Sequence, residues 1–108
     1  MDFFKDLNVD YKIGNKDDYS GRLSKIKNQY CHQAIKVSNI ENLDSENFID
    51  IGIIGYVCDE GVKRNQGRIG ASKGPKSVRN QLGKLPIHFE NKNIVDFGDI
   101  FCVDENLE

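Results

Sequence analysis

Phe48-Ile49-Asp50-Ile51-Gly52-Ile53-Ile54-Gly55-Tyr56, then a polar glycine-rich stretch from Cys58 to Lys73, then Gly74-Pro75-Lys76-Ser77-Val78-Arg79-Asn80-Gln81-Leu82-Gly83, then Ile94-Val95-Asp96-Phe97-Gly98: this order decides the fold. The first run is short and rich in β-branched residues, as a buried strand of a parallel sheet is. Pro75 suits a first helical turn, where its missing N–H has no partner to lose. Val78 and Leu82 share a helix face, and Gly83 can end the helix in a left-handed conformation. Ile94 to Gly98 reads as a second strand. Strand, loop, helix, strand is a βαβ unit, and its two strands should be parallel with a right-handed crossover.

Working outward, seven of the ten glycines lie between Gly52 and Gly83, where the backbone must turn sharply or approach a ligand. Upstream, Ile26, Tyr30, Ala34 and Val37 recur at spacings of four, four and three, which predicts an amphipathic helix between Ser24 and Val37. Residues 1 to about 23 read as an extended lead-in. The expected organisation is therefore an N-terminal extension with a short helix over residues 1–47 and a βαβ unit over residues 48–108.

The 108 residues include 15 Lys plus Arg and 17 Asp plus Glu, a formal charge of −2 that selects no nucleic-acid partner. The longest apolar stretch, Ile49 to Val57, falls short of the roughly 20 residues a membrane-spanning helix needs. No signal-peptide pattern opens the chain, which reads as cytoplasmic. Three cysteines, Cys31, Cys58 and Cys102, fit neither a disulfide framework nor a zinc-ligand spacing, so free thiols are expected.

In open α/β sheets ligands sit outside the carboxyl ends of the strands, which makes the loop after Tyr56 the functional candidate. From Gly61 to Pro86 there are seven basic residues (Lys63, Arg64, Arg68, Lys73, Lys76, Arg79, Lys84) and no acidic one, so an anionic ligand fits; solvated loop and helix charges are the plainer reading. Gly70 to Ser77 nearly spells a phosphate loop. Pro75 spoils it, because that motif places glycine before its lysine and needs backbone N–H groups aimed at phosphate. His32 and His88 lie far apart and form no metal-binding pattern; His32 reads as a packed or hydrogen-bonded side chain. Cys58 has no local cation but Lys63 and Arg64 to activate it. Asp59 and Glu60 read as holding the loop by accepting its N–H or arginine hydrogen bonds.

Ile53-Ile54-Gly55-Tyr56-Val57-Cys58-Asp59-Glu60-Gly61-Val62-Lys63-Arg64-Asn65-Gln66-Gly67-Arg68-Ile69-Gly70-Ala71, followed by Gly74-Pro75 and Val78-Arg79, resembles the first strand, loop and helix of formimidoylglutamases, which belong to the arginase and agmatinase (ureohydrolase) family. Tyr19-Ser20-Gly21-Arg22, Tyr30-Cys31-His32-Gln33-Ala34-Ile35 and Ile94-Val95-Asp96-Phe97-Gly98-Asp99-Ile100 resemble further segments of the same group. Val57 stands where the family usually has proline, and Gln66 where it has a second glycine. The resemblance implies the N-terminal part of an arginase-like three-layer α/β fold with a parallel sheet. It also implies hydrolysis of N-formimidoyl-L-glutamate to L-glutamate and formamide in histidine degradation by an intact enzyme that uses two manganese ions and can be a homo-oligomer. The family's metal-ligand motifs do not occur here, so no catalytic or metal residue is expected in this chain, and alone it should have little activity and bind manganese poorly. Asn65 and Arg68, with Arg64 behind them, are the expected substrate-binding residues, a guanidinium being suited to a carboxylate. Asp59, Glu60, Gly67, Gly70 and Gly74 are expected to shape the loop. The alternatives are a truncated non-catalytic paralogue and a small anion- or phosphate-binding module.

Overall fold

The computed structural model describes residues 9–45, 48–59, 70–87 and 92–102. Four strands, β1 (Val9–Lys12), β2 (Lys36–Val37), β3 (Ile51–Val57) and β4 (Ile94–Cys102), form one mixed sheet organised on β4. β3 runs parallel to β4 with Ile51 opposite Ile94 and Val57 opposite Phe101, the pairing expected of the βαβ unit. β2 pairs parallel with Val95 and Asp96, and β1 antiparallel with Asp99 to Cys102. Because β3 already occupies one side of β4 along this length, β1 and β2 share the other side. The N-terminal extension thus contributes two strands, and β4 becomes interior, with Ile94 to Gly98 all buried.

β3 departs from expectation in two ways. It begins at Ile51, because side chain and backbone clamp the two strand starts together: the Asp50 and Ile51 N–H groups donate to Asn93 O (3.0 and 3.2 Å), and Asn93 N–H donates to Asp50 Oδ2 (2.7 Å). Phe48 lies outside the ladder and is exposed. Nor is β3 a buried strand. Among the described residues it pairs with β4 alone, and its Ile54 and Tyr56 are 50% and 56% exposed.

β4 is longer than the predicted Ile94 to Gly98 and carries a bulge. Ile53 faces Asp96, but Gly55 faces Asp99, so β4 uses one residue more than β3 over the same interval. Gly98 absorbs it with φ 93°, and a Cβ there would lie 2.3 Å from Lys12 O. The extra residue inverts the alternation of side chains. Asp96 and Asp99, three apart, consequently meet the same arginine.

The helix α1 (Cys31–Ala34) is a single turn, where apolar spacing predicts helix from Ser24 to Val37. Local polar groups defeat the longer helix. Asn28 takes φ 55°, and Ile26 N–H donates to Ser24 Oγ (3.1 Å). Gln33 folds back, its Oε1 accepting from Tyr30 N–H (2.8 Å) and its Nε2 donating to Ile26 O (3.1 Å). Ile26 is exposed, and Val37 belongs to β2. The buried cluster draws instead on Tyr19, Cys31, Ile35 and Ile94, with Ile53, Leu82 and Ile87 packed against it.

Gly74–Leu82 forms the predicted helix, α2, with Pro75 in its first turn. Two details differ. Val78 points outward and is exposed, while Arg79 is the buried residue of the helix. Gly83 ends α2 in the right-handed region (φ −59°), so its role is close approach: a Cβ would lie 3.0 Å from both Ser20 N and Ser20 O. Immediately beyond, Gly83 O and Leu85 O accept from His32 N–H (3.0 Å) and Cys31 N–H (2.8 Å), which satisfies the first N–H groups of α1.

Candidate functional site

Parallel pairing puts the carboxyl ends of β3 and β4 at the same end of the sheet, and the chain leaves β3 there through Cys58 and Asp59. Asp59 binds the far end of the loop. Its Oδ1 accepts from Gly70 N–H (2.9 Å) and Ser72 N–H (3.0 Å), and its Oδ2 accepts from the Ser72 hydroxyl (2.8 Å). Gly70 precedes the 3-10 turn Ala71–Lys73, which runs directly into α2. One carboxylate therefore ties the end of β3 to the start of the helix.

These bonds hold the Asp59 carboxyl below its ordinary range; the Ser72 N–H contributes most, then the Ser72 hydroxyl, then the Gly70 N–H. A depressed folded value means that the clasp is complete above the ordinary carboxylate range and is lost as the pH falls below that range through the folded value. Amide exchange at Gly70 and Ser72 should show protection at neutral pH that disappears in acid, and Asp59→Ala should remove it at every pH. Protection that is equal at neutral and acid pH, or that survives Asp59→Ala, would contradict the clasp.

The other expected site residues fall in two groups. Gly70 stands at the loop's end with its N–H on Asp59. Gly74 has helical φ −58° and open space around a would-be Cβ. Glu60, Arg64, Asn65, Gly67 and Arg68 lie outside the described residues. His32 donates through Nε2 to Arg22 O (2.9 Å) and lies parallel to the Tyr30 ring at 6.0 Å between centroids. Cys31 is a free, buried thiol, its pKa pushed up by burial, whereas Cys58 is disulfide-bonded, which corrects the expectation that all three cysteines are free.

Between α2 and β4 lies an ion-pair network that composition did not reveal. Arg79, 3% exposed, projects from α2 onto β4. Its Nε donates to Asp96 Oδ2 (2.6 Å) and its Nη2 to Asp96 Oδ1 (3.0 Å), a two-pronged pairing. Nη1 donates to Asp99 Oδ1 (2.6 Å), and Nη2 also to Gly98 O (2.9 Å). Asp96 takes two further donors, the Tyr19 hydroxyl on Oδ2 and Gly98 N–H (2.8 Å) on Oδ1. Burial disfavours the Arg79 charge, but the hydrogen bonds it donates to Asp96 and Asp99 outweigh it and raise its pKa. Burial, and then the bond to Asp96, raises the Tyr19 pKa. Arg79 is thus spent on bracing the helix against the bulged strand, and it leaves the set of basic residues that could meet an anion. The available signal was a lone aspartate within the apolar run Ile94 to Phe97, opposite a helix that carries one basic residue on its inner face.

Among the described residues no group of three or more His, Cys, Asp or Glu could hold a metal ion, and no helix is long and apolar enough to cross a membrane.

No family model matches the chain. Among curated proteins it is similar to the formimidoylglutamase of Lysinibacillus sphaericus, with 36% identity over 102 residues covering 91% of this chain and 32% of the relative. The formimidoylglutamase of Staphylococcus haemolyticus is 38% identical over 103 residues, covering 90% of this chain and 32% of its own length. That of Chromobacterium violaceum is 40% identical over 101 residues, covering 92% and 29%. The chain therefore spans about a third of the length of the curated relatives it matches. Its mixed sheet, parallel β3–β4 pair and intervening helix are those of an α/β segment of an arginase-like fold. Within that class the chain is similar to the formimidoylglutamases, over a segment that matches their N-terminal portion.

Proposed function

We propose that this chain supplies the first parallel strand pair and the substrate-facing loop of a formimidoylglutamase, which hydrolyses N-formimidoyl-L-glutamate to L-glutamate and formamide. Water adds to the formimidoyl carbon, the C–N bond to the glutamate nitrogen breaks, and that nitrogen leaves as the amine. The observation that carries this reading is the coincidence of geometry and sequence. Asp59, at the carboxyl end of β3, binds Gly70 and Ser72, and the stretch of sequence between them falls within the segment matched to proteins named formimidoylglutamases. Ligand chemistry agrees, because the substrate is a dicarboxylate and the loop carries Arg64, Asn65 and Arg68 with no acid after Glu60. In this reading Arg68 pairs with a substrate carboxylate through two N–H groups, Asn65 donates beside it, and Arg64 stands behind.

Manganese, which the family resemblance implies, supplies an activated water when bound. The described residues do not fit it, since they offer no cluster of ligands, and in this reading the ligands belong to the part of the enzyme outside the matched segment.

The test is kinetic. In a chimera that carries this chain in place of the matched segment of the Lysinibacillus sphaericus enzyme, Arg68→Lys should raise KM for formimidoylglutamate about tenfold or more with kcat little changed, the effect of losing a charge-assisted, two-pronged hydrogen bond. An unchanged KM with a lowered melting temperature would return Arg68 to bracing the loop.

A further inference from the structure

The cysteines stand in different states. Cys31 is a free thiol in the buried cluster, whereas Cys58 is disulfide-bonded. The chain has three cysteines, so with Cys31 free the one left to pair with Cys58 is Cys102. The sheet register points to the same pair. Val57 lies opposite Phe101 in the parallel ladder, and the next residue of each segment, Cys58 and Cys102, continues it. Neighbouring strands run about 4.8 Å apart, inside the roughly 4.4–6.8 Å between Cα atoms that a disulfide spans.

Position gives this bond a consequence beyond cross-linking two strands. Cys58 is only partly buried and lies past the last paired residue of β3, outside the core cluster. Exposed disulfides are the ones that small thiols reach and reduce, whereas Cys31, buried and with its pKa pushed up, is a poor participant in exchange. The residue after Cys58 is Asp59, whose carboxylate holds Gly70 and Ser72 at the approach to α2. Arg79 already fixes α2 to β4. A bond from Cys58 to β4 therefore fixes the strand end from which Asp59 reaches across, and opening it removes one tie on that end.

We propose that Cys58 and Cys102 form a reversible disulfide across the carboxyl ends of β3 and β4, and that exchange with low-molecular-weight thiols and disulfides switches the Asp59 clasp between a held and a loosened state. In the closing direction one cysteine thiolate attacks a sulfur of the small disulfide and expels a small thiolate, which leaves a mixed disulfide on the protein. The second cysteine thiolate attacks the protein-bound sulfur of that mixed disulfide and expels the other small thiolate. Two electrons pass from the cysteine pair to the small disulfide, and the two cysteine protons end on the two small thiols. Opening is the reverse, with two small thiols as the reductant. The switch goes beyond the reading under Proposed function and acts on the clasp whatever ligand the neighbouring loop meets.

The experiment equilibrates the 108-residue chain at neutral pH in glutathione buffers graded from oxidised to reduced, traps free thiols with N-ethylmaleimide and maps the cysteines by peptide mass spectrometry. The expected result is one two-electron transition between a Cys58–Cys102 cross-linked peptide and two alkylated thiols, with Cys31 a thiol throughout. Amide exchange is read at the two ends of the titration. Protection of the Gly70 and Ser72 N–H groups should fall about tenfold or more on reduction, as expected when a cross-link no longer restrains local opening. Cys58→Ser and Cys102→Ser should each show the reduced level of protection in both buffers. A disulfide that involves Cys31, a glutathione adduct on Cys58 that never closes, a Cys58–Cys102 bond that survives the most reducing buffer, or equal protection at Gly70 and Ser72 in the two buffers would each overturn the proposal. The titration, the mapping and the exchange are all read on the parent chain, so they decide the matter even where a serine variant fails to fold.

Discussion

Replacing Arg79 by alanine should unfold much of the chain. The substitution leaves the Asp96 carboxylate, 1% exposed, with only the Tyr19 hydroxyl and the Gly98 N–H as partners, and leaves Asp99 without its guanidinium. Breaking a buried ion pair by removing one member costs about 3–5 kcal/mol, because the remaining charge stays buried without compensation. Native domains are stable by only about 5–15 kcal/mol, and a chain this short sits at the lower end, so the loss consumes most of what is available. Urea titration followed by circular dichroism should show a midpoint far below that of the parent or no folded baseline. Arg79→Lys should fall between the two, since it keeps the charge but cannot span Asp96, Asp99 and Gly98 O together. An Arg79→Ala variant as stable as the parent would mean that Asp96 is solvated and the network is not what joins α2 to β4.

Gly98→Ala should be nearly as damaging, by a different route. The left-handed backbone costs an L-residue about 1–2 kcal/mol, and the added Cβ must also displace main chain at Lys12 O and Gly14 N (2.3 and 2.8 Å). No flexible side chain can yield there, so β1 has to move away from β4. A total loss of about 3 kcal/mol is expected. The position of the damage is the more specific signature: amides of β1 and their partners from Asp99 to Cys102 should lose exchange protection, while those of β3 opposite Ile94 to Asp96 should keep it. Gly74→Ala is the control. Its backbone is helical and its surroundings open, so that substitution should be neutral or stabilise by up to about 1 kcal/mol. Equal effects of the two substitutions would contradict the bulge as the pivot of the sheet.

The βαβ core was legible because its signals are local and redundant. A β-branched run, a proline in a first turn, a glycine past the helix and a second apolar run each point to the same unit, and β3, α2 and β4 follow. The helix between Ser24 and Val37 was not legible, because periodicity counts apolar side chains and ignores polar ones that bind backbone. Gln33 and Ser24 offer the chain hydrogen bonds that a longer helix would forfeit, and Cys31 and Ile35 take the core positions that the stripe assigned to Ile26 and Val37. The short strands β1 and β2 are too brief for an alternation to register and are defined by β4, far along the chain. The ion-pair network needs two facts that no single segment contains: the inward face of α2, and a bulge that turns Asp99 to the side of Asp96. At the candidate site, chain order alone placed the loop at the carboxyl end of β3, and the clasp by Asp59 adds how its two ends are joined.

The central claim, that these residues serve as the N-terminal portion of a formimidoylglutamase, is tested most directly by substitution into a relative. The chimera that carries this chain in place of the matched segment of the Lysinibacillus sphaericus enzyme is supplied with manganese and N-formimidoyl-L-glutamate, and formamide release is measured. The account predicts turnover of the same order as the parent enzyme. A chimera that folds and binds manganese as the parent does, yet releases no formamide, would contradict it.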